Sequence, residues 1–260
     1  MSKPIKKKMN IKNKALAINS TLIVVSTTII GTILHELAHF LMAKYFELNP
    51  ELHHNYVNYL TENATEFQKA IIAGIGPVFS LIFGIIILLI SVKILKPSLL
   101  KLFMLWLGMN GILMFLGYIL IAPIVKNGDT GQVFDFLNIP TFISVVIAVI
   151  SFVIIIKLFS SLSKEFRFYK NEDLFVQKEN EKQLFFYPIW FSIIFITILS
   201  LPVVTWISLL PTIFMPMTYF STMKKYRKQN LENAELEINF ISKPLLILTI
   251  GTIIIFRILI

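Results

Sequence analysis

Runs of apolar residues long enough to cross a bilayer recur along this chain of 260 residues, and no other feature narrows its fold so much. A bilayer span takes about 20 apolar residues, whereas shorter runs of about 10–14 suit a buried core helix. Here long runs cover Ala15 to Tyr45, Ala70 to Val92, Leu99 to Ile124, Ile139 to Phe159 and Pro244 to Ile260. Between the last two, residues 184–222 form an apolar stretch interrupted by Pro202, Pro211 and Pro216. That is enough for two short spans turning near Leu201 and Pro202. The second half, VVTWISLLPTIFMPMTYF, has an alternative reading as a broken or re-entrant helix, tolerated where protein or water shields its freed backbone groups. Barrel strands are excluded, because no segment alternates apolar and polar residues over about 10 positions. The expectation is an all-α polytopic membrane protein of about seven transmembrane helices, six at the least.

Charge supports this reading and orients it. The net charge of +9 would suit a nucleic-acid partner, but the lysines are confined to the segments between spans. There they set topology instead, so nucleic acid is not expected as a partner. Twenty of the 24 Lys and Arg residues fall on one side of the map, leaving Lys44, Lys69, Lys126 and Arg257 on the other. Cytoplasmic loops are the basic ones, which puts the N-terminus in the cytoplasm, the C-terminus outside, and the chain most naturally in the cell membrane. The opening MSKPIKKKMNIKNK has the basic character of a signal peptide's first region. The run after it is too long and lacks a small-residue cleavage pattern, so the segment is expected to be retained. Polar stretches at 47–69, 162–183 and 223–243 are too short to bury a core of their own. Residues 1–260 therefore read as a single transmembrane domain without internal repeats. With no cysteine, disulfides and thiolate metal sites are excluded, and any metal must be held by His, Asp or Glu.

Within the first run, GTILHELAHFLMAKYF at residues 31–46 breaks the apolar pattern with three ionisable groups. His35 and His39 are four apart, so on a helix they stand one turn above each other on one face and can offer imidazole nitrogens to one cation. Glu36 lies beside them. In H-E-x-x-H hydrolases the histidines hold Zn²⁺ and the glutamate takes a proton from a water whose pKa the metal lowers toward about 7. With four histidines and twelve glutamates in the chain, the pattern arises by chance with a probability of about 0.3%. Each ionisable group in a span also costs about 2.5–3.5 kcal/mol on insertion scales. An interfacial turn is the bland alternative, but the resumption of apolar FLMA after His39 speaks against it.

Two histidines leave a catalytic zinc site one protein ligand short. The candidate is Asp129 in APIVKNGDTGQVFDF, just past the third span and on the same side as the histidines. Gly128 and Gly131 flank it and are expected to let the backbone fold the carboxylate back toward the bundle. Asp135, His53, His54, Glu62 and Glu66 compete from the same side. Asn110, inside the third span, is a candidate hydrogen-bond donor to the transition state or substrate, with the pinning of two helices as its alternative.

With these residues in view, the chain resembles the site-2 proteases, intramembrane zinc metalloproteases with H-E-x-x-H on one core span and a ligating aspartate at another. The resemblance covers roughly residues 30–135, the expected metalloprotease core, with 184–260 as additional C-terminal helices. AGIGPVFS at 73–80 is similar to the family's small-residue Gly-Pro motif, with Ser80 where Asn is commoner. Gly76, Ser80 and Gly84 recur every four residues, which also suits close helix packing. What the resemblance implies is a Zn²⁺ cofactor on His35, His39 and Asp129, Glu36 as general base, and hydrolysis of peptide bonds in membrane-anchored proteins or peptides within the lipid bilayer. Two features depart from the family. Its aspartate usually sits in a proline-studded Leu-Asp-Gly motif, whereas here it lies in Asn127-Gly128-Asp129-Thr130-Gly131. The lysine count also sends the histidine span outward, where well-known members run it toward the cytoplasm. Rival readings are a membrane zincin of the prenyl-protein protease type, with a glutamate as third ligand, and a non-catalytic metal-binding membrane protein or transporter.

Overall fold

The computed structural model describes residues 14–169, 174–202, 209–228 and 238–259. The basic stretch ahead of Lys14 lies outside the described residues. The fold is helical apart from one two-stranded antiparallel hairpin, β1 (Glu51–Leu52) and β2 (Val57–Asn58), on the loop after the first helix. Among the described residues five stretches are long and apolar enough to cross a membrane. They are α1 (Ala15–Tyr45), α2 (Glu66–Lys93), α3 (Leu99–Ile121), α5 (Thr141–Leu162) with its 3-10 extension, and the helical run that ends in α7 (Tyr187–Leu199). The short α4 (Asp129–Phe136) lies between α3 and α5, and α6 (Leu174–Glu181) leads through one π-helical turn into α7.

Local sequence sets the helix boundaries. Thr65 and Gln68 form a reciprocal capping box that starts α2, satisfying two amides that the helix leaves open. Ser98 caps α3 by accepting from the Lys101 amide. Beyond α1 the chain turns through Glu47 and Asn49, both with positive φ.

α1 and α3 form the centre, and α2 and α5 turn apolar side chains such as Ile82, Ile86, Phe142 and Val149 outward, as lipid-facing helices do. α2 and α3 approach backbone to backbone. A Cβ added at Gly84 would meet the Ile112 amide at 2.7 Å, and one at Gly111 would meet the Ser80 carbonyl at 2.7 Å. The four-residue spacing of small side chains therefore serves packing at Ser80 and Gly84. Below this seam, Trp106, Phe159, Phe166, Phe185 and Tyr226 fill a fully buried core. Lys101 and Glu165 form an ion pair of 3.0 Å there, with both side chains largely buried.

Of the about seven spans expected, five are long and apolar enough to cross a membrane among the described residues. The second half of the proline-rich stretch is divided into α8 (Leu209–Phe214), a 3-10 turn at Met215–Tyr219 and α9 (Phe220–Arg227), and residues 203–208 lie outside the described residues. Pro216, at the start of the 3-10 turn, accounts for the end of α8, since it lacks an amide and disturbs the preceding turn, whereas Pro211 sits in the first turn of α8. The last helix, α10 (Lys243–Ile258), has 16 residues, about 24 Å, against a hydrocarbon core of about 30 Å. It packs along α1, fastened near its start by Asn19, which bonds the Phe240 carbonyl and the Ser242 amide, and midway by Ser26 to Thr249 at 2.7 Å.

Candidate metal centre

α1 carries His35, Glu36 and His39 about 9–15 Å before its C-terminal end, and all three are buried. The i,i+4 spacing brings the two imidazoles together in an edge-on arrangement with centroids 4.7 Å apart. Gly76 on α2 makes room for them, because a Cβ there would overlap the His39 ring and reach 2.9 Å from His35 Nε2. The three-residue small pattern thus divides its work: Gly76 faces the imidazoles, Ser80 turns its hydroxyl to His35 and its carbonyl to α3, and Gly84 faces α3.

The outer edge of each ring is held. His35 Nδ1 lies 3.0 Å from Ser80 Oγ, and His39 Nδ1 donates to the Ile72 carbonyl at 2.5 Å. A donated Nδ1 proton leaves Nε2 as a bare lone pair, the tautomer a metal ligand needs. Both Nε2 atoms point at Asp129, whose Oδ2 lies 2.8 Å from His35 Nε2 and 3.2 Å from His39 Nε2, and the two Nε2 atoms are 3.0 Å apart. Tetrahedral zinc ligands about 2.1 Å from the ion stand roughly 3.4 Å from one another, so this triangle is close to the size a zinc ion would take. Among the described residues it is the one group of three metal-ligating side chains that converge.

Asp129 reaches the rings as the first residue of α4, which docks on α2 with Val133 over Gly74. The expectation that glycine freedom folds the carboxylate back needs correction, because neither Gly128 nor Gly131 has a positive φ. Gly131 matters sterically instead: a Cβ there would strike the Lys126 and Val125 carbonyls, closing the turn that carries Asp129. Burial works to raise the Asp129 carboxyl, but the neighbouring imidazoles outweigh it and hold the group below the usual carboxylate range.

The competing residues lie elsewhere. Glu66 is exposed and paired with Lys69 at 2.9 Å, and Glu62 and Asp135 are exposed on their own segments. His53 stacks on Tyr56. His54 is buried against Phe256 and donates from Nε2 to the Ser200 carbonyl at 3.1 Å. Burial pushes its imidazole below the ordinary histidine range. Asn110 is engaged at both ends of its amide, donating to Thr27 at 3.0 Å and accepting from the Tyr219 hydroxyl.

Sequence reasoning missed Tyr118. Its ring lies parallel to that of His35, at 5.1 Å and 10°. Nothing local marks it, beyond being a polar-tipped aromatic in an apolar helix eleven residues before Asp129. Tyr118, Glu36 and Asp129 share a cavity of about 580 Å³ that extends past Thr28 and Asn110 to Thr212 and Met215 of the proline-broken segment. The site is thus a buried cluster of two imidazoles and a carboxylate, open on one side to a space large enough for several residues of an extended chain. Compared with protein-family models, with curated proteins and with solved structures, the chain matches none of them.

Proposed function

We propose that the protein is an intramembrane zinc metalloendopeptidase of the site-2 protease kind, acting on membrane-anchored proteins or peptides. The observation that carries this reading is the convergence of His35 Nε2, His39 Nε2 and Asp129 Oδ2 within hydrogen-bonding distance of one another, next to Glu36 and facing a cavity. Two lone pairs and a carboxylate gathered in an apolar helix bundle repel one another unless a positive charge, a proton or a metal ion, lies between them. Bound zinc would supply that charge, lower the pKa of a water toward about 7 and polarise the scissile carbonyl. His35 and His39 would hold the ion through Nε2, each ring fixed by its Nδ1 contact, and Asp129 would complete the protein ligands. Glu36 takes a proton from the attacking water as its oxygen bonds the carbonyl carbon. The same carboxyl then gives that proton to the amine nitrogen as the C–N bond breaks.

Two further elements of the reading rest on contacts. The C-terminal end of α10 meets the outer segments, since Arg257 donates to the Leu199 and Leu201 carbonyls and His54 donates its amide to the Leu259 carbonyl. Arg227, at the end of α9, forms a two-point ion pair with Glu181 at the start of the α7 run. Between these anchors the proline-broken segment supplies a sixth crossing and α10 a seventh, with the N-terminus cytoplasmic and the site in the outer half of the cell membrane.

Glu36→Gln is the direct test. The purified variant is expected to keep about one zinc per chain while turnover falls by at least about 10²-fold, the scale of a general base. Undiminished cleavage would remove Glu36 from the reaction. Asp129→Ala is expected to lose the zinc and Glu62→Ala to keep it, and the reverse result would favour the glutamate-ligated zincin.

A further inference from the structure

Five of the hydrogen-bond donors that line the cavity next to the candidate centre have already committed their protons. Thr28 donates to the Val24 carbonyl at 2.8 Å and Thr32 to the Thr28 carbonyl at 3.1 Å, both within α1. Ser192 and Ser200 donate to Ile189 and Ile196 on α7, at 2.9 Å each. Asn110 gives its amide protons to Thr27 and Thr28. Tyr118 differs. Its hydroxyl donates to no described residue, although its ring is fixed parallel to His35 and the residue lines the cavity beside Glu36 and Asp129.

The Tyr118 ring is held alongside that of His35, and the residue lines the cavity. It is well placed to address a substrate atom lodged between the ligand triangle and the cavity. During hydrolysis the carbonyl oxygen of the scissile bond takes on negative charge, and a donor already aimed at that oxygen lowers the barrier without reorganising. In a dry bundle interior such a donor has little competition from water.

We propose that the Tyr118 hydroxyl is a catalytic hydrogen-bond donor to the developing oxyanion of the scissile carbonyl. The phenol keeps its proton throughout; the proton that moves is the one Glu36 carries from water to the amine. This assignment rests on the proteolytic reading above and extends it to a residue that no sequence motif marks.

The test compares the full-length wild type with Tyr118→Phe, which keeps the stacked ring and removes the oxygen. Both are reconstituted in nanodiscs with zinc and given fluorescein-labelled casein as a generic unfolded substrate. The expected result is equal zinc content, KM within about threefold, and kcat lower by about 10²–10³-fold. A second readout needs no turnover. A peptidyl phosphinate, which imitates the tetrahedral state, should bind Tyr118→Phe at least about tenfold more weakly, while the matching peptide amide binds both proteins alike. Wild-type kcat and unchanged phosphinate affinity in Tyr118→Phe would overturn the proposal, as would loss of zinc from that variant, which would assign the hydroxyl to holding the ion or its ligands. If wild type cleaves and Tyr118→Phe does too, only the tyrosine role falls. If wild type cleaves no more than Glu36→Gln, the proteolytic reading falls and this assignment with it.

Discussion

Gly76 is the residue on which the ligand pair most visibly depends. Its missing side chain is the space the two imidazoles occupy, and a methyl group there would have to overlap His39. Gly76→Ala is therefore expected to leave the helices assembled but to push the rings apart, with zinc per chain falling well below one in the purified protein. Retention of full zinc would mean that the rings can shift without losing the ion. Ser80→Ala makes a milder change, removing only the partner of His35 Nδ1 at 3.0 Å, and should weaken zinc binding by about 10–100-fold in a competition titration. The residues differ in how far sequence discloses them. His35, Glu36 and His39 were legible because helical geometry alone dictates that positions four apart share a face. The Ile72 carbonyl was not legible, since any residue has a carbonyl and only the packing of α2 against α1 selects this one. Asp129 fell between: topology put it on the right side, but the reason offered, glycine flexibility, was not the one the backbone shows.

At the scale of elements, the proline-broken segment depends on α3 for its position. Met215 occupies the notch left by Gly117, and the Tyr219 hydroxyl bonds Asn110, which in turn bonds Thr27 on α1. Three elements are thus joined through one buried amide. Asn110→Ala would strand the Tyr219 hydroxyl in a buried position, at a cost of about 1–3 kcal/mol. A lower melting temperature is expected with zinc content unchanged. Tyr219→Phe should recover part of that loss in the double variant, because the two changes share one bond. An additive double variant would show that the clasp contributes little. The long spans α1, α2, α3 and α5 were readable as elements because uninterrupted apolar length is itself the signal. Residues 209–227 were not, because proline says where a helix breaks and not how the pieces pack.

At the scale of the whole molecule, the orientation decides which compartment the site serves. The proposed orientation, argued from the lysine distribution, has the end of α1, the 51–58 hairpin and α4 outside, and the 93–98 turn inside. The chain offers a clean way to measure this, since it has no cysteine to remove first. Asn63→Cys and Lys96→Cys place single thiols at exposed positions on the two opposite loops. A membrane-impermeant maleimide added to intact cells is expected to label the cysteine at 63 and to reach the one at 96 only after permeabilisation. The opposite pattern would turn the histidine span toward the cytoplasm and move the cavity mouth with it. Either orientation keeps the ligand triangle intact, because its geometry is set by α1, α2 and α4 packing together. What changes is the substrate population: an outward site meets the outer halves of membrane anchors, and an inward one their cytoplasmic ends. The labelling experiment therefore constrains the substrate class even before any substrate is identified.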